Sequence, residues 1–220
     1  MFRWFRDAQD TLAEVDTAFA GMLDDGRRVF DLAMSVRLGG ADPTTVEEDL
    51  LRTEERTDEA ERRIRRLLLT RVSVHGSADL SACLLYMSVA KDAERVADLS
   101  KNLFGIGRTV GAPPASALRD DFIRLRDEVS PMITEAARIF REEDTETAHT
   151  FIEEAREIQR YCTGRIDELL LERIDVVQPA ATVLTYRQFA RILANLINIV
   201  SAVVVPLDQI DYPNAEGEVS

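Results

Sequence analysis

Phe104-Gly105-Ile106-Gly107-Arg108-Thr109-Val110-Gly111-Ala112-Pro113-Pro114 is the stretch that decides how this chain of 220 residues divides. It is the densest cluster of helix breakers in a sequence with only 10 Gly and 7 Pro, and it falls near the midpoint. The spacing predicts a helix ending near Phe104, with Gly105-Ile106-Gly107 as its C-cap. Working back, that helix begins near Ala78, after a short connection, Ser73 to Ser77. Before it, Asp42-Pro43 supplies an N-cap and a first-turn proline for a helix running to about Val72. Gly39-Gly40 stops an earlier helix that starts near Asp7.

Beyond the break the pattern recurs. A fourth helix is expected from about Ser116 to Arg141, with Pro131 as a kink or restart. Asp144 or Thr145 caps a fifth that reaches about Ile174. Gln178-Pro179 opens a sixth that ends near Pro206, and Asp208 to Ser220 reads as a frayed tail. No strand is predicted. Each helix is about 25 to 30 residues, roughly 40 Å long, and short connections make sequential neighbours antiparallel. The fold class is all-α: two tandem antiparallel three-helix bundles at residues 1–107 and 115–210, followed by a flexible tail at 211–220. One irregular bundle and an antiparallel coiled-coil rod are the competing architectures.

Composition narrows the function. The formal net charge of −13 repels phosphate backbones and anionic lipid surfaces, so nucleic acid is a poor partner, and basic protein surfaces or hydrated cations are better ones. Cys83 and Cys162 sit in apolar helical contexts without metal-ligand spacing and read as buried thiols. The N-terminus lacks the apolar core of a signal peptide, and the uncharged run between Arg191 and Asp208 is too short and polar to span a bilayer. The expected location is the cytoplasm.

Acidic pairs abound in so acidic a chain, so position on the helix matters more than spacing. In the third helix Cys83, Val89, Ala90, Val96, Ala97, Leu103 and Phe104 form a broad apolar arc, with Glu94 and Asp98 together on the other side. In the second, Leu50, Thr53, Thr57, Ala60, Ile64 and Leu67 form the core stripe, and Glu54, Asp58 and Glu61 sit on one ridge beside it. If the two ridges face each other, four carboxylates converge. Like charges at close range raise each other's pKa, and a hard cation such as Mg²⁺, Mn²⁺, Ca²⁺ or iron would relieve them. The bland reading is a solvated acidic face with Arg95, Arg62 or Lys91 as counter-charges.

Glu54-Glu55-Arg56-Thr57-Asp58-Glu59-Ala60-Glu61 and Lys91-Asp92-Ala93-Glu94-Arg95-Val96-Ala97-Asp98-Leu99-Ser100-Lys101-Asn102 resemble the PhoU family. The more specific signal is the run from Glu94-Arg95 through Asp98 to Asn102. The resemblance covers about Asp7 to Phe104 well and the second half in outline. It implies a duplicated three-helix bundle and a cytoplasmic regulator of inorganic phosphate uptake and of the phosphate-starvation response, a negative regulator that acts as a homodimer. By the same resemblance its partners are a phosphate ABC transporter and a sensor histidine kinase, met at the inner face of the membrane through protein contact and without membrane insertion. It also implies one metal site, holding iron, Mn or Mg, with Glu54, Asp58, Glu94 and Asp98 as ligands and Glu61 in reserve.

The second half departs from that pattern. Ala190-Arg191-Ile192-Leu193-Ala194 through Asn198 lies 96 residues beyond Glu94 to Asn102, so both carboxylates have become alanine. In the fifth helix the matched positions are Ile152, Arg156 and Gln159, unless a one-residue slip offers Glu153 and Glu157. Residue 99 is leucine where the family often has histidine, and the loop from Arg71 to Asp79 lacks the usual proline. Both departures point to a divergent paralogue. His75 and His149 have no nucleophile at motif spacing, and no Gly-rich phosphate loop is present, so no enzyme is expected. The alternatives to a metal-bearing adaptor are a metal-independent scaffold or dimerising bundle and a regulator of a different ion transporter.

Overall fold

In the computed structural model, which describes residues 2–171, 173, 176 and 178–205, the chain is six α-helices and one 3₁₀ turn. The helices are α1 (Phe2–Arg37), α2 (Pro43–His75), α3 (Leu80–Val110), α4 (Ala117–Glu142), α5 (Thr145–Leu170) and α6 (Pro179–Ser201), and the turn is Gly76–Asp79. No strand occurs among the described residues. The tail expected beyond Asp208 lies outside them.

Caps fix the helix starts as the sequence suggests. Asp42 Oδ1 accepts the Thr44 backbone N–H at 2.8 Å with Pro43 in the first turn, and Asp144 Oδ1 accepts that of Thr147 at 3.0 Å. Hydrogen bonds from the Thr147 hydroxyl and backbone N–H, and then Arg138, hold the Asp144 carboxyl down to about 2. The midpoint glycines behave otherwise than expected. α3 runs through Gly105 and Gly107 to Val110, and its cap is Gly111, with φ 71° and its N–H donated to the Gly107 carbonyl. Gly107 is there for space: a Cβ on it would lie 2.9 Å from the Cα and N of Arg37 on α1. Pro131 likewise does not restart α4, which runs unbroken through it from Ala117 to Glu142. It is exposed in mid-helix, so the carbonyl that loses its donor, that of Asp127, faces water. α5 stops at Leu170 and α6 at Ser201, earlier than the expected ends near Ile174 and Pro206, which lie outside the described residues.

The first three helices close on one another, and the expected stripes point inward. Thr53, Thr57, Leu50 and Ile64 are fully buried on α2, as are Val89, Ala90, Val96 and Leu103 on α3. Yet α3 is buried more widely than one arc requires, because it packs on α6 as well as on α1 and α2, covering Ala93, Leu99 and Ser100 too. The two sets meet through equivalent helices, α1 on α4 and α3 on α6. Asn198 of α6 donates to Asp92 of α3 at 3.4 Å, and Arg27 of α1 donates to Ser130 and Thr134 of α4 at 3.2 and 3.0 Å.

Aromatic rings join the sets into one core. Phe19 meets Phe140 at 4.8 Å and Phe30 meets Phe189 at 5.8 Å between centroids. Arg37 is wholly buried where the sets cross, donating to Thr185 and to the Gly111 carbonyl, with its guanidinium over the Phe122 ring. It has no carboxylate partner among the described residues, and burial pulls it down to about 10.

The second set is less closed than the first. α5 lies on α6, and α4 lies on α1 and α6, but α4 and α5 scarcely touch, contrary to the expectation that sequential helices pair. The cause is the apolar stripe of α4. Phe122 and Phe140 turn towards Tyr186, Phe19 and Tyr86 on other helices.

Candidate carboxylate site on the second and third helices

The ridges of α2 and α3 do face each other. Two antiparallel helices in contact bring Glu54 opposite Asp98 and Lys101, and Glu61 opposite Glu94. Glu94 is half-buried, and its carboxyl is held above the usual carboxylate range by desolvation first, then by the charges of Glu61, Asp98 and Asp58, with Arg95 opposing. Four of the acids named by the sequence thus act on one another. Glu61, held in reserve, is the most covered, its side chain 12% exposed against 22% for Glu94.

Cations of the chain occupy the gaps. The Lys101 ammonium pairs with Glu54 across the helices and lies 3.6 Å from Asp98 on its own helix. Although burial works against its charge, those two carboxylates hold Lys101 above its ordinary value, so it is an ammonium at neutral pH. Arg95 reaches Glu94 and Asp98 at 3.9 Å each, Arg62 reaches Asp58 at 3.3 Å, and Arg65 reaches Glu61 at 2.6 Å. Arg95 and Arg62 are the counter-charges anticipated by the bland reading. Lys101 was missed, although its position three residues beyond Asp98 on the same helix face was a usable signal. Lys91 is exposed.

An all-oxygen donor set suits a hard cation chemically. As arranged, however, Glu54, Asp58, Glu94 and Asp98 do not fit one. No three Asp, Glu, His or Cys side chains among the described residues gather so as to hold a metal ion, and Lys101 stands between Glu54 and Asp98.

The corresponding edge of α5 and α6 has no carboxylate at the matched positions, which are Ile152, Arg156, Gln159, Ala190 and Ala194. Gln159 Nε2 donates to the Ala190 carbonyl at 3.2 Å, which sets the register left open by the sequence: Gln159 meets Ala190 as Glu61 meets Glu94. Glu153 and Glu157 are exposed, and Ile152 is buried.

A family model described as the PhoU domain matches residues 19–105, the span from Phe19 on α1 to Gly105 on α3. Residues 19–105 are thus similar to a PhoU domain. The carboxylate ridge lies wholly within the matched span, and α4 to α6 lie beyond it. Searches of curated proteins and of solved structures found no match. PhoU domains are associated with the regulation of phosphate transport. No helix among the described residues is long and apolar enough to cross a membrane. Both cysteines are free and buried, and burial pushes the Cys162 thiol up to about 12, so it is an inert packing residue.

Proposed function

We propose that this chain is a regulatory adaptor of inorganic phosphate transport and of phosphate-responsive signalling, with a phosphate ABC transporter or a sensor histidine kinase as its partner. The observation that carries the reading is the PhoU domain at residues 19–105, whose α2–α3 edge bears the acidic ridge. The mechanism is docking of helix surfaces, which shifts the partner between active and inactive states by binding one of them better. No catalysis belongs to it, and its seat is the cytoplasmic face of the membrane, reached through the partner.

Removing the chain from its cell of origin tests this. Phosphate uptake and the starvation response should become active in phosphate-rich medium, and the Glu94→Ala/Asp98→Ala variant should restore control only in part. Unchanged uptake and an unchanged starvation response in the deletion would sink the proposal.

A metal-independent version is favoured by one observation, the Lys101 ammonium between Glu54 and Asp98. The metal-bearing version, with iron, Mn or Mg on Glu54, Asp58, Glu94 and Asp98, requires that side chain to leave. Metal analysis of the purified protein separates the two: stoichiometric metal that is lost in Glu94→Ala/Asp98→Ala supports the second version, and metal-free protein supports the first.

A further inference from the structure

α4 and α5 both rest on α6 without closing on each other, and the space between them is a groove. It consists of two clefts of about 720 and 750 Å³ that share Arg124 and Tyr161 along their walls. On α5 the groove extends from Phe151 to Arg165, roughly 21 Å at the α-helical rise, or about four turns.

The equivalent seam in the first set is bridged, and the cleft of about 600 Å³ along it is lined by Arg56, Arg62, Arg63 and Arg66. Three ion pairs lace α1 to α2: Arg28 with Asp49 at 2.6 Å, Arg56 with Asp25 at 2.5 Å, and Arg63 with Glu14. Within the α4–α5 groove the pairing runs along single helices instead. Arg124 binds Asp121 and Glu128 on α4, and Arg165 binds Glu168 on α5. Across the groove the charged ties among the described residues gather at Tyr161, whose ring lies 4.6 Å from the Arg124 guanidinium and whose hydroxyl bonds Asp121.

Chemistry selects the occupant. The floor of the 750 Å³ cleft is apolar, with Met132, Phe151 and Ile158. Its α5 rim presents Glu154 and Glu157, which take part in no ion pair among the described residues, on a chain of net charge −13. A second copy of so acidic a chain would bring like charges together over that rim. An apolar floor about four helical turns long under an unpaired acidic rim matches a helix with apolar anchors on one side and Lys or Arg beside them.

We propose that the α4–α5 groove receives a basic amphipathic helix of a partner protein, its apolar anchors against Met132 and Ile158 and its cations on Glu154 and Glu157. This rests on the docking reading above and names the surface and the chemistry of the partner. The surface lies outside the matched PhoU domain, so it distinguishes this chain's partner from what the domain alone would select.

The probe is a fluorescent peptide of about 18 residues with Leu at helical spacing flanked by Lys, titrated with the full-length protein at low and moderate salt. Glu154→Lys/Glu157→Lys changes exposed residues and should weaken binding about tenfold or more, roughly the effect of two lost charge pairs at a partly desolvated site. Glu55→Lys/Glu59→Lys makes the same charge change on the exposed face of α2 and should weaken it less than about threefold, the loss expected from net charge alone. Tyr161→Ala should weaken it too, and bound peptide should slow amide exchange in α4 and α5.

Equal weakening by the two reversals, protection confined to other helices, or no binding overturns the proposal. So does a change of oligomeric state in Glu154→Lys/Glu157→Lys, because the occupant would then be a second copy. If the peptide binds through the groove while deletion leaves phosphate uptake unaltered, the phosphate reading fails and the groove stands; the opposite pair of results removes the groove alone.

Discussion

The α2–α3 edge and the α5–α6 edge share a register and little else. Where the first sets Glu61 against Glu94, the second sets Gln159 against the Ala190 carbonyl. On the first edge a half-buried cluster of acids is sustained by Lys101, Arg95, Arg62 and Arg65. On the second, an amide hydrogen bond joins the helices at the matched position, with no cluster of carboxylates to be neutralised. The difference teaches that helix packing does not require the acids. They are an added feature of one half and cost some stability there, so function is the better reason for their presence.

The strongest blow to the closed half should be Gly107→Val. Its Cβ would lie 2.9 Å from the backbone of Arg37, and backbone cannot give way as a side-chain tip can, so a loss of about 3 kcal/mol or more is expected in thermal or urea unfolding. Gly164→Ala is the counter-test in the open half. Nothing lies within 4 Å of its Cβ position, and a gain of about 0.5 to 1 kcal/mol is expected from helix propensity. Similar losses at both sites would erase the contrast between the halves.

Lys101→Ala should cost about 1 kcal/mol at neutral pH, because Glu54 and Asp98 lose the cation they share. The same variant sharpens the metal question. Mn²⁺ or Fe³⁺ should raise its melting temperature more than that of the parent protein, and an equal rise in both would show that Lys101 does not hold the site closed.

Glu94→Gln should have the smallest effect, a gain of about 0.5 kcal/mol at neutral pH. The folded carboxyl titrates above its unfolded value, so ionised Glu94 opposes folding at high pH. That cost fades as pH falls through the folded pKa and is gone below the unfolded value near about 4.3. Unfolding curves of parent and variant should therefore converge in acid; a gap that stays constant with pH would assign the effect to packing.

Much of this fold is legible in the sequence, because its helices begin at Asp42-Pro43, Asp144 and Pro179 and carry uninterrupted apolar stripes. The facing ridges of Glu54, Asp58, Glu94 and Asp98 are legible too, being a matter of helical phase. What escaped depends on contacts distant in sequence. Gly107 looked like a stop signal because a glycine demanded by the neighbouring Arg37 backbone is indistinguishable, locally, from one demanded by a turn. Lys101 escaped because its pairing with Glu54 needs the relative height of two helices, which hydrophobic phase leaves free. The open α4–α5 seam escaped for the same reason: α4 is amphipathic, but nothing in its own stripe says that α1 and α6, and not α5, will cover it.

The Asp92 to Asn198 bond bears on the order of assembly during synthesis. α1, α2 and α3 meet through connections of a few residues and can associate once α3 has left the ribosome. The α6-facing side of α3 must then wait for a segment made almost a hundred residues later, so docking of α6 is the slow, non-local closure. Until it arrives, the nascent chain holds a formed first bundle with one apolar flank still wet, the stage at which a chaperone would be most useful to it.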